Sequence, residues 1–275
     1  MTVIPVDRVL ETLLDSLVTS PRDHVPALKV LTQSISRIAS CYIPEYESVI
    51  SKALPAIQVP AWCPFVSHFE AIDTSVLRPA TIDVILESSI PRLFATDIHV
   101  RKAALVPVRA VAAHHAAKTL DRLISATKIF QINIEFFQVL QFLIPLTVDD
   151  QLKVISLVKF LFVECIEVVM LPALLTQVCN CVVLLCCFVG RRQNHHPTDD
   201  PIALMRTAPN TNPETLTILS DLWELISPLC WSKELMNRGD DTEYEVVRAT
   251  CALVSVMGSL AVSYTHLTLP TILRV

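Results

Sequence analysis

Apolar residues recur along this chain at helical spacing. In residues 8–19, Leu10, Leu13, Leu14 and Leu17 share one face, the i, i+3, i+4, i+7 pattern of an amphipathic helix. Leu28, Leu31, Ile35 and Ile38 repeat it in residues 25–43, where Pro44 stops it. Residues 45–57 read as a further short helix, and Pro60 and Pro64 bracket a predicted loop around Trp62. Residues 80–94 contain Pro91 and are predicted as a divided helix, because proline removes an intrahelical hydrogen bond. Residues 100–119 are alanine-rich and predicted as one helix, with 120–143 and 149–169 following after short interruptions. Residues 193–213 form the one clearly polar loop. Asn212 and Pro213 then supply an N-cap and a first helical position. The helix they start, 214–226, presents Leu216, Ile218, Leu219, Leu222 and Trp223. A last helix begins near Thr242.

About ten helices with short proline-marked connections favour antiparallel helix pairs. Pairs stacked in series make a solenoid, each burying its apolar face against its neighbours. Composition sharpens this picture. The 275 residues hold 3 glycines against 18 prolines. Glycine supplies the positive-φ positions of hairpin turns and phosphate-binding loops, so β-rich, P-loop and dinucleotide-binding folds are excluded. The net charge of −5 comes from interspersed acids and bases, with no basic run to bind nucleic acid.

One motif bears on the architecture. Asp97 is followed by Val100-Arg101 and then by Ala103 and Ala104. The aspartate can cap the next helix, the arginine can reach back to turn carbonyls, and the alanines allow close packing. Residues 97–105 resemble the second-helix signature of HEAT repeats. Residues 241–252 resemble it too, with Asp241, Val247-Arg248, Ala249 and Ala252 after a longer turn. The resemblance implies an all-α fold, an irregular HEAT/armadillo-like α-solenoid of stacked antiparallel helix pairs over residues 1–261. It also implies that the partners are other proteins, bound along the solenoid surface. Such arrays precede the catalytic domain in some large kinases, which leaves a regulatory solenoid of a kinase as an alternative.

Residues 168–190 carry no formal charge and are followed by Arg191-Arg192. Three readings stay open for this stretch. It can be a buried solenoid helix. It meets the length of a single transmembrane helix, although Pro172, Gln177 and Asn180 lie inside it. Its codons can also be read as a retained short intron through Gln193.

The nine cysteines are odd in number, with Cys179, Cys181, Cys186 and Cys187 close together. This reads as buried reduced thiols in an intracellular protein rather than a disulfide framework. With His195 and His196 the cluster lacks the C-x2-C or H-x3-H spacing of zinc sites. His114 and His115, adjacent in a predicted helix, diverge by about 100°. Trp62, Trp223 and Trp231 read as core or loop anchors. No nucleophile elbow, HExxH or paired-carboxylate motif occurs. No residue is therefore assigned a catalytic, cofactor or metal role.

Residues 262–271, VSYTHLTLPT, resemble the in-frame translation of a transposase-type sequencing-library adapter. Three variable index codons would give Ile272, Leu273 and Arg274, and Val275 would precede the adapter's stop. This implies a non-native tail over 262–275 and a native protein that continues beyond about Ala261. The expected function is a protein–protein interaction scaffold without chemistry of its own, the N-terminal fragment of a larger cytoplasmic or nuclear protein. A membrane-anchored protein held by residues 168–190 is the alternative.

Overall fold

A computed structural model of the chain describes Arg8, Thr12 and residues 42–57, 59–147, 150–167, 172–192, 213–231 and 241–272. The fold is all-α, and the described residues contain no strand. Of the first predicted helix only Arg8 and Thr12 are described; the Thr12 hydroxyl donates to the Arg8 carbonyl at 2.7 Å, the i to i−4 geometry of a helical turn. The predicted helix over residues 25–43 lies almost wholly outside the described residues. The chain divides into two compact units, residues 1–146 and 147–275.

The first unit contains six described helices: α1 (Ile43–Ala56), α2 (Val59–Val66), α3 (Pro79–Ser89), α4 (Ile98–His114), α5 (Ala116–Thr127) and α6 (Ile134–Leu143). They pack as pairs in two rows. Helix α1 lies on α3, α2 on α4, and α4 on α6, while α3 packs on α4 and α5 on α6. Asp83 joins α3 to α5 through Lys118 at 2.8 Å and Arg122 at 3.1 Å. A helix that touches its successor and also the helix after that is what stacked pairs require. The core is made of Ile50 and Leu54 of α1, Trp62 and Phe65 of α2, Ile82 and Leu86 of α3, Val108 of α4, Leu123 of α5 and Phe137 of α6.

Capping fixes where these helices begin. Asp97 accepts from the His99 amide at 2.8 Å and starts α4. Asn133 accepts from the Phe136 amide at 3.0 Å and starts α6, while its amide group donates to the Leu93 carbonyl at 2.7 Å. Helix α3 starts at Pro79, and its N-cap residue Arg78 supplies no side-chain cap. The buried carboxylate of Glu47 takes that role from α1, accepting from the Arg78 amide and from the Thr81 hydroxyl. A carboxylate is favoured there because it answers unpaired N–H groups at the positive end of the helix dipole.

Three sequence expectations need correction here, one being the stretch 120–143, which holds the end of α5 and all of α6, parted at residues 128–133. The loop expected between Pro60 and Pro64 is helix α2, with Trp62 buried at its centre. Pro60 falls in the first turn, where an amide hydrogen has no intrahelical partner to lose. The single helix expected over 100–119 is broken at His115, whose φ of −129° and ψ of 47° turn the chain from α4 into α5. Pro107, inside α4, does not end that helix. The division of residues 80–94 at Pro91 occurs as expected, with Pro91–Phe94 forming a 3₁₀ turn.

The second unit contains α7 (Gln151–Glu167), α8 (Pro172–Arg192), α9 (Pro213–Ile226) and α10 (Asp241–Ile272). Helix α7 packs on α8 and on α9, and α10 packs on α8 and on α9. The four helices are again two pairs in two rows. Lys159 and Asp221 form an ion pair between α7 and α9, and Arg248 donates to Asn180 at 3.1 Å between α10 and α8. Helix α8 carries most of the uncharged stretch. Leu175, Val178, Cys179, Cys181, Val182 and Leu185 are buried, which is the buried-helix reading of that segment. Among the described residues no helix is long and apolar enough to cross a membrane.

Candidate functional site

The motif that resembles the HEAT signature does the mechanical work its residues suggest. Asp97 caps α4. Arg101, one turn later, donates to the Ala95 and Thr96 carbonyls, both at 3.1 Å, and so ties down the turn that precedes its own helix. Its Nε also reaches the buried Glu135 of α6 at 2.9 Å. One guanidinium thus fixes both a turn within a pair and the contact to the next pair, a use of the forked donor set that lysine cannot copy. The second window behaves differently. Arg248 donates to Glu245 at 3.1 Å and to Asn180 on α8, so it too braces neighbouring helices.

Around Arg101, two successive inter-helix turns are joined. Phe94 stacks on Phe130 at 4.9 Å between ring centroids, and Asn133 bonds to Leu93 across the same boundary. Ile98, Ile129 and Ile134 lie at the edges of these turns and are exposed, Ile129 to 75%. A groove of about 400 Å³ opens elsewhere on α4, walled by Phe69 and Ile72 on one side and by Leu105, Arg109 and His114 on the other. His114 Nε2 lies 3.6 Å from Asp73, at the edge of the groove. Two hydrogen bonds from Ser75 hold the Asp73 carboxyl below the usual carboxylate range. The groove lining offers an acid, an imidazole and a guanidinium, without a hydroxyl or thiol nucleophile.

The remaining residues singled out by sequence are dispersed. Cys179, Cys181 and Cys186 are buried in α8 and Cys187 is exposed. Burial pushes the Cys186 thiol up to about 12, with Cys187 adding to the shift; it is a poor metal ligand, since the thiolate is the ligating form. His195 and His196 lie outside the described residues. Among the described residues no three His, Cys, Asp or Glu side chains are grouped to hold a metal. His114 and His115 part at the corner between α4 and α5, and His115 turns its Nε2 to the Thr74 carbonyl at 3.1 Å. Trp62 is a core anchor with the Arg92 guanidinium stacked 4.6 Å over its ring. Sequence reading missed the buried polar residues Glu47 and His68, because nothing in their local pattern sets them apart from solvent-facing residues.

The packing of paired helices in two rows decides the architecture. The fold is an all-α helical repeat, and its paired helices in two rows resemble a HEAT or armadillo array. No protein-family model matches the chain, and no curated protein matches it. Solved structures that resemble it at low identity include three engineered or designed proteins. Two are engineered proteins of the Northeast Structural Genomics Consortium: one at TM-score 0.46 and 13% identity, over 90% of this chain and 97% of that one, and one at TM-score 0.38 and 12% identity, over 92% and 71%. The third is a designed armadillo repeat protein at TM-score 0.37 and 15% identity, over 89% of this chain and 99% of that one. A helical repeat arranges side chains along continuous rows, and here those rows present apolar turn residues and a shallow groove.

Proposed function

We propose that the chain is a protein-binding scaffold, residues 1–261 belonging to a larger HEAT-like protein of the cytoplasm or nucleus. The observation that carries the scaffold reading is the exposed apolar edge of the first unit. Ile98, Ile129 and Ile134 face solvent around turns that the Arg101–Glu135 pair and the Phe94–Phe130 stack hold in place. Apolar residues held exposed on a braced edge cost solubility, and are a common mark of a contact surface. The adapter-like residues 262–271 support the larger extent. The scaffold reading is tested by purifying the tagged chain from its own cells, beside an Ile98→Glu/Ile129→Glu/Ile134→Glu variant that keeps its helical circular dichroism. Stoichiometric partners should accompany the parent chain and be lost from the variant. Equal recovery of the same partners by both proteins would refute this edge as the contact surface.

A further inference from the structure

Helix α10 carries two apolar seams, and packing within its unit fills one of them. Thr242, Val246, Ala249, Leu253 and Val256 are buried where α10 meets α8 and α9. Tyr244, Val247, Cys251 and Val254 lie elsewhere on the helix and are exposed: Tyr244 to 66%, Val247 to 43%, Val254 to 49%. At about 100° per residue the second seam is centred roughly 160° from the first. A helix with a solvent face ordinarily turns polar residues towards it. This one presents apolar residues at intervals of three and four, the spacing that lets one helix seat knobs into holes of another.

The residues beside the seam indicate what covers it. In heptad terms Tyr244 and Cys251 are a positions, and Val247 and Val254 are d positions. Glu243 is then a g position and Arg248 an e position. In a parallel two-helix contact, g of one helix faces e of its neighbour five residues on. Glu243 would meet Arg248 of the partner subunit, and two-fold symmetry makes the contact twice. Glu243 has no ion pair among the described residues. Arg248 spends one terminal nitrogen on Glu245 and the other on Asn180, and its side chain is still 41% exposed, so its remaining N–H groups are free to donate. An antiparallel pairing would set each of these charges away from its complement. The seam is therefore complementary to itself in one orientation, in apolar spacing and in charge.

We propose that the chain self-associates through this seam, α10 pairing in parallel with α10 of a second copy. The proposal rests on the scaffold reading in that it names one partner of the repeat. Its test reads self-association directly, so its failure leaves the edge at Ile98, Ile129 and Ile134 to be judged by its own experiment. Parallel pairing in register sets Cys251 opposite Cys251 of the partner subunit. Diamide oxidation of the whole protein would then join them: the two thiols give up two protons and two electrons to diamide, which becomes the hydrazine, and one S–S bond forms.

The expected result is a reducible covalent dimer on a non-reducing gel, lost in Cys251→Ser and kept in Cys187→Ser. By sedimentation without oxidant, Val247→Glu should be a monomer. Glu243→Lys should weaken the dimer by about threefold or more, since two exposed ion pairs are lost. The swap Glu243→Lys/Arg248→Glu should be tighter than either single variant. A parent chain that stays monomeric up to about 100 μM overturns the proposal, and slow alkylation of Cys251 in that monomer would mean that another segment of the protein covers the seam. A dimer that Val247→Glu leaves intact, or one that fails to cross-link at Cys251, also overturns it.

Discussion

His68 shows how a single buried side chain sets a pH limit. It lies in the core against Tyr46, Phe65 and Phe69. Its Nδ1 is 2.5 Å from the Phe65 carbonyl and its Nε2 is 2.6 Å from the Tyr46 hydroxyl. A carbonyl only accepts, so Nδ1 carries the proton and Nε2 accepts from the tyrosine. The ring is satisfied when neutral, and burial lowers its pKa from 6.5 to about 4. The unfolded chain therefore binds this proton more readily than the folded one between those values. Stability from this residue is complete above pH 6.5 and is lost as pH falls towards 4, by roughly 3 kcal/mol in all. Denaturant melts of the parent at several pH values should show that slope. His68→Leu should flatten it, at a constant cost of about 1–3 kcal/mol for the Tyr46 hydroxyl left without a partner. An unchanged slope in His68→Leu would place the acid sensitivity elsewhere. Sequence alone gave no hint of this pair, because Tyr46 and His68 are 22 positions apart and meet only through the packing of α1 on the turn after α2.

At the scale of elements, the spacing of contacts reveals the repeat more clearly than the spacing of motifs. Beyond the short-range bonds such as those of Arg101 to its own turn, many side-chain bonds between helices and turns of the first unit join residues 29 to 41 positions apart. That is the length of one helix pair in solenoids of this kind. The motif at Asp97 was legible because capping and turn-bracing are local and need specific residue types at fixed offsets. The other pairs achieve the same ends with different residues: Glu47 caps α3 from a distance, and Asn133 caps α6. The corner at His115 was illegible because alanines on both sides suit a continuous helix, yet the backbone leaves the helical region there and α5 starts anew with Leu120 and Leu123 buried. Arg101 and Asp97 should differ sharply on mutation. Asp97→Ala removes one exposed cap and should cost about 1 kcal/mol. Arg101→Ala leaves the buried Glu135 carboxylate without its cation and should cost about 3 kcal/mol or more. Arg101→Ala/Glu135→Gln should recover part of that loss. Equal costs for the two single variants, read from denaturant melts, would contradict the bridging role given to Arg101.

For the whole molecule, charge and core chemistry act in the same pH range. The net charge is −5 at pH 7 and the isoelectric point is about 5.9, so mutual repulsion between copies vanishes just where His68 begins to weaken the fold. Exposed apolar residues such as Ile129 and Tyr244 then meet without electrostatic opposition, and low net charge promotes association and precipitation. Light scattering should rise steeply as pH is lowered from 7 to 5.5. The two causes separate by direction and by variant. If charge neutralisation acts alone, scattering should fall again at pH 4.5, where the chain is net positive, and His68→Leu should follow the parent throughout. If core protonation contributes, the parent should go on aggregating below pH 5 because its unfolded fraction grows. His68→Leu, which lacks this histidine's share of the decline through that window, should regain more solubility there than the parent. A parent chain that redissolves as completely as His68→Leu at pH 4.5 would show that the buried histidine has no part in its acid behaviour.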